Sequence, residues 1–177
     1  ENGGNGIYFV PNIPTEEVFT MPHRNGVNGK VFSTKPLNYQ GNLIRDFYFV
    51  FKDGKVVDYN AKEGYEALKS LVELDEGSSR LGEVALISNN SPISNLNILF
   101  NDTLFDENAS CHLALGNAYS MNIVGGTNMS VEELEKLGYN SSITHVDFMF
   151  GSADMQIVGT THDGKEVVIF EKGNFVI

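Results

Sequence analysis

A chain of 177 residues with 41% hydrophobic side chains is long enough to bury one core of ordinary size. Its net charge of −11 argues against nucleic acid and against an anionic membrane surface, both of which call for basic patches, and is compatible with cationic ligands such as metal ions or free amino groups. The lone cysteine, Cys111, excludes an intrachain disulfide and makes a reducing cytoplasm the simplest setting.

No apolar run approaches membrane-spanning length, and neither a signal peptide nor an initiator Met opens the chain. The expectation is therefore a piece of something longer. Residues 7–10 (IYFV) read as a short buried strand ended by Pro11 and Pro14. "PTEEVFTMP" is a rigid irregular segment or a short strand. "VNGKVFSTKPL" and "GNLIRDFYFVFKDGKVVDYNA" read as strands, with Asp53-Gly54 as a hairpin turn. Residues 61–74 carry the clearest helical period, with Tyr65, Leu68, Leu71 and Val72 on one stripe. "LGEVALIS" (81–88) is a strand. A further strand is expected around 110–115, broken near Gly116. "SVEELEKLG" (130–138) is a short helix with Ser130 as N-cap, Glu133 in the capping-box position and Gly138 as terminator. Strands follow at 144–150, 154–160 and 165–170, the last two joined by a turn at 162–165. With no repeat and no linker, the expected class is α+β: one domain over 1–177, a strand-rich mixed sheet with two or more short helices.

Polar residues interrupt apolar runs in four places. These are Glu16 and Glu17 in "PTEEVFT", Glu83 in "LGEVALIS", Glu107 and His112 in "DENASCHLALG" with Tyr119 beyond, and His145 and Asp147 in "THVDFMFG". On a strand, residues two apart share a face, so His145, Asp147 and Met149 would point one way and Val146, Phe148 and Phe150 the other. The second set reads as core. The first carries two polar groups whose burial costs free energy unless something binds them. Each place also has a plainer explanation: a solvated loop for Glu16 and Glu17, a half-exposed strand for Glu83, a hydrogen-bonded core histidine for His112, an exposed edge for His145 and Asp147. If the four places converge, a mixed carboxylate–imidazole set suits zinc, cobalt or manganese better than calcium. No HExxH helix, dinucleotide-binding or phosphate-binding glycine loop, or nucleophile-elbow motif is present. The residues alone reach a possible metallohydrolase.

"NIPTEEVFTMP", "GEVALIS", "ENASCHLALGNAY" and "HVDFMFG", in that order, resemble the C-terminal domain of the thermophilic metalloaminopeptidase family, over nearly the whole chain. The resemblance implies cytoplasmic, homodimeric exopeptidases that act on peptides with a free N-terminus and use two divalent metal ions. It implies metal ligands at Glu17, Glu83, Glu107, His112, His145 and Asp147, with Tyr119 in the site. Glu17 is preferred to its neighbour as the ligand, which leaves Glu16 as the expected general base. Family members also carry an N-terminal α/β domain that this chain lacks. Rival expectations are a non-catalytic metal-binding or dimerisation module and a two-metal phosphoesterase.

Overall fold

The structure, a computed structural model, describes residues 17–177. The strand expected at 7–10 and the candidate base Glu16 lie outside the described residues. Strand β1 (Val18–Thr20) opens the described chain. It is followed by β2 (Gly29–Phe32), β3 (Leu37–Tyr39), β4 (Asn42–Lys52) and β5 (Lys55–Glu63). Helix α1 (Tyr65–Val72) then leads to β6 (Leu81–Leu86). Two single-turn helices, α2 (Pro92–Asn95) and α3 (Thr103–Asp106), precede β7 (His112–Gly116). Helix α4 (Val131–Lys136), β8 (His145–Met149), β9 (Ile157–Thr160), β10 (Glu166–Glu171) and β11 (Asn174–Phe175) complete the order.

The strands form three sheets, ordered β1-β6-β7-β8, β2-β4-β3 with β5 also on β4, and β11-β10-β9. The α+β, strand-rich expectation holds, but the sheets are not mixed. Every strand pairing among the described residues is antiparallel. Short turns such as Asp53-Gly54 make that outcome natural, because parallel neighbours need long crossovers. Both turn residues have positive φ, 49° and 80°, as a two-residue hairpin requires.

The core is aromatic. Phe47 and Phe49 of β4 meet Phe148 of β8 with ring centroids 5.8 and 5.0 Å apart. Leu81, Leu113 and Leu115 join them from the first sheet, and Leu68, Leu71 and Val72 from α1. The helix is shorter than its period suggested because β5 runs on to Glu63 and Gly64, at φ 78°, turns the chain into α1. Tyr65 leaves the expected buried stripe: it is 40% exposed and stacks on Tyr59. α4 has the expected cap, with Ser130 Oγ accepting from Glu133 N–H and the Glu133 carboxylate accepting from Ser130 N–H. Helices α2 and α3 lie between β6 and β7. They are held by Ser91 and Asp102 as N-caps.

Candidate metal centre

Residues paired across antiparallel strands project from the same face. In the first sheet Glu83, Ala114 and Asp147 form one cross-strand row, and Ala85, His112 and Met149 the next. His145 pairs with Gly116 on the same face. Phe19 of β1 pairs with Ala85, so Glu17, two residues earlier, continues that side. The opposite face presents Val84, Leu113, Leu115, Val146 and Phe148 to the core. One face of the sheet therefore holds the fold together while the other gathers the polar residues.

A bulge makes this division possible. Leu81 pairs with Leu115 on the core face, whereas Glu83 pairs with Ala114 on the other, although the two are only two residues apart. The register shift between them reverses the alternation and sends Leu81 inward and Glu83 into the site. Gly82 sits at the shift, where a Cβ would collide with the carbonyl oxygens of Gly116 and Asn117.

Glu83 spans both histidines. Its Oε1 lies 3.4 Å from His112 Nε2 and its Oε2 lies 3.5 Å from His145 Nε2. Glu17 Oε1 lies 3.3 Å from His112 Nε2, and Asp147 Oδ1 lies 3.3 Å from His145 Nε2. Three overlapping groups bring ligand atoms within 4.8 Å of one another: Glu17–Glu83–His112, Glu83–His145–Asp147 and Glu107–His112–Asp147. The six candidate ligands thus converge. Tyr119 stands beside them, its ring 4.9 Å from that of His145 and 6.1 Å, edge-on, from Phe19.

The histidines are held by their other nitrogens. His112 Nδ1 is 3.1 Å from the Ser110 carbonyl, and His145 Nδ1 is 2.7 Å from the Asn117 carbonyl. A carbonyl only accepts, so each Nδ1 carries the proton. In the neutral ring Nε2 then offers a lone pair. Those lone pairs face carboxylate oxygens. His112 Nε2 and Asp147 Oδ1 are buried and make no hydrogen bond. Lone pairs facing anions at this spacing need a cation between them, and the donor set fits a divalent transition metal.

Without a metal ion, protons take that role. Burial pulls the His112 imidazolium pKa down, but Glu17 and Glu83, with Asp147 and the Ser110 carbonyl, outweigh it and hold it up at about 11. Burial likewise opposes the His145 imidazolium, while Asp147, the Asn117 carbonyl and Glu83 raise it to about 9. The Tyr119 phenol is pushed up to about 12 by burial and then by Glu83, Asp147, Glu107 and Glu17, so it keeps its proton at neutral pH.

Several contributors were not singled out from sequence. The carbonyls of Ser110 and Asn117, the close approaches at Gly82 and Gly116, and the Phe19 ring all shape the site. Gly116 alone left a trace, as the expected break at the end of β7.

The thermophilic metalloprotease (M29) family model matches residues 1–175. The chain belongs to that family. Among M29 relatives, aminopeptidase 2 of Geobacillus stearothermophilus is 60% identical over 96% of this chain and 41% of its own length. Aminopeptidase T of Thermus aquaticus is 45% identical over 94% of this chain and 40% of its own length. The solved structure of wild-type AmpT from Thermus thermophilus superposes with a TM-score of 0.89 at 43% identity, covering 98% of this chain and 42% of that one. The chain spans about two-fifths of the length of the M29 relatives it matches. No helix among the described residues is long and apolar enough to cross a membrane.

Proposed function

We propose that this chain forms the metal-binding part of an M29 aminopeptidase that releases N-terminal residues from peptides. The reading is supported above all by two histidines pinned through Nδ1 to carbonyls, with Nε2 directed at the same bridging carboxylate, Glu83. Glu17, Glu83, Glu107, His112, His145 and Asp147 would hold two divalent ions, of zinc, cobalt or manganese. Bound ions of this kind supply Lewis acidity and a water that ionises near neutral pH. Tyr119 donates a hydrogen bond to the carbonyl oxygen as charge develops on it. Glu16 accepts a proton and returns it to the leaving amine. The free α-amino group of the substrate would bind near a metal or a carboxylate, which favours exopeptidase over endopeptidase action. The reading extends to an N-terminal α/β domain completing the cleft, to a homodimer and to a cytoplasmic setting, the last in keeping with the single buried thiol of Cys111.

Cobalt(II) titration should show two equivalents bound. The intact protein should cleave leucine p-nitroanilide, lose that activity to a chelator and regain it with metal. Glu83→Ala should remove both metal and activity. Undiminished turnover by that variant after chelation and reconstitution refutes the ligand assignment, and hydrolysis of p-nitrophenyl phosphate alone refutes the peptidase.

A further inference from the structure

The chain just beyond β7 is bound more tightly than a connecting loop needs to be. Every polar group of Asn117 is in use. Its N–H donates to the Thr144 carbonyl at 2.7 Å. Its side-chain Nδ2 donates to the Ala118 carbonyl at 2.8 Å and to the Tyr139 hydroxyl at 3.1 Å. Its Oδ1 accepts from Ser142 N–H at 3.2 Å, and its carbonyl accepts the His145 Nδ1 proton at 2.7 Å. Asn140, fully buried, brackets the same turn: its Nδ2 donates to the Gly116 carbonyl at 2.6 Å and its carbonyl accepts from Ala118 N–H.

We propose that Asn117 is the positioning residue of the metal centre, its side-chain amide fixing the peptide whose carbonyl takes the Nδ1 proton of His145. The inference rests on the metal-centre reading above. The amide is required because it must donate in one direction and accept in the other. It ties the start of the 117–119 segment to residues 139 and 142, which lead into β8, and so fixes the distance between the Asn117 carbonyl and the His145 ring. The same anchoring sets which nitrogen of His145 carries the proton, and hence that Nε2 faces Glu83 and Asp147. Asn117 acts on only one of the two histidines. His112 takes its carbonyl from Ser110, two residues before it. His112 is therefore an internal control.

The test uses zinc alone as the probe, on the 177-residue chain, with long-range proton–nitrogen NMR of the imidazoles and competitive zinc titration. Asn117→Ala removes all three side-chain bonds. Asn117→Asp keeps the acceptor for Ser142 N–H and replaces the donating NH2 with a carboxylate oxygen, so it remains informative if the alanine variant does not fold. The expected result is loss or broadening of the His145 Nδ1–H signal and a fall of about tenfold or more in the affinity of one zinc ion, with the His112 signal unchanged. Val56→Ala, in the core away from the site, should lower the melting temperature and leave both histidine signals and both affinities as they were. Wild-type affinity and an intact His145 signal in the folded Asn117 variants overturn the inference, as does equal loss of both histidine signals. If the wild-type chain binds no zinc, the metal-centre reading itself falls, a failure distinct from the first.

Discussion

Gly116→Ala probes the link between fold and site. Gly116 has φ 106°, pairs with His145 across β7 and β8, and lies where a Cβ would be driven into the Thr144 carbonyl. Forcing an alanine into that backbone conformation costs about 1–3 kcal/mol. The displaced carbonyl also accepts from Asn117 N–H, and losing that bond adds about 1 kcal/mol. The expected destabilisation is about 2–4 kcal/mol, or about 4–16 °C in melting temperature for a chain of this size. Because the strain falls on the peptide beside Asn117 and on the residue before His145, metal affinity should fall as well. Far-UV circular dichroism melts of the metal-free chain measure the first effect and a competitive zinc titration the second. A melting temperature within about 1 °C of wild type would refute both the steric account and the proposed coupling to the site.

Asp75 accepts from the N–H groups of Ser78 and Ile143 and from the Ser142 hydroxyl. Burial pushes its carboxyl pKa up, but these bonds outweigh it and hold the pKa below the ordinary value. Its stabilisation is therefore complete above about pH 4, the unfolded value, and is lost as pH falls through the lower folded value. Chemical denaturation from pH 6 to pH 2 should show the gap between wild type and Asp75→Asn closing with acid; a constant gap contradicts the assignment. Ser130→Ala removes the α4 cap and should cost about 1 kcal/mol while leaving zinc stoichiometry unchanged, as equilibrium unfolding and zinc titration would report. With His112 and His145 protonated in the metal-free protein, cobalt(II) binding at pH 7.5 should release about two protons, read by calorimetry in buffers of different ionisation enthalpy. Release of none would mean that both rings are already neutral.

The sequence made the apolar alternation and the chain-local devices legible. The Asp53-Gly54 hairpin, the Ser130–Glu133 box and the split of "HVDFMF" into a polar and a core face all depend on residues within a few positions of one another. The convergence of Glu17, Glu83, His112 and His145 came from family resemblance rather than periodicity, because it depends on strand register. Simple alternation would have put Leu81 and Glu83 on one face. Only the bulge at Gly82 separates them, and what demands glycine there is the carbonyl of a strand-end turn more than thirty residues away. The carbonyl anchors of His112 and His145 carried no sequence signal at all, since any residue has a carbonyl. Tyr65 departs from the helical stripe for a related reason: β5 takes residues that the helical period would use.

The buried charge of the site bears on how many ions it is built to hold. Glu17, Glu83, Glu107 and Asp147 bring four negative charges to one side of a sheet whose other side is packed against phenylalanines. Two imidazolium groups offset half of that charge, and one divalent ion with neutral rings would do no better. Two divalent ions with neutral rings bring the balance to zero. Uncompensated charge is costly where water is excluded, and the Glu83 and Asp147 side chains are only 6% and 8% exposed. Glu83 presents one carboxylate oxygen toward each histidine. Charge balance thus supports the proposed pair of ions over one.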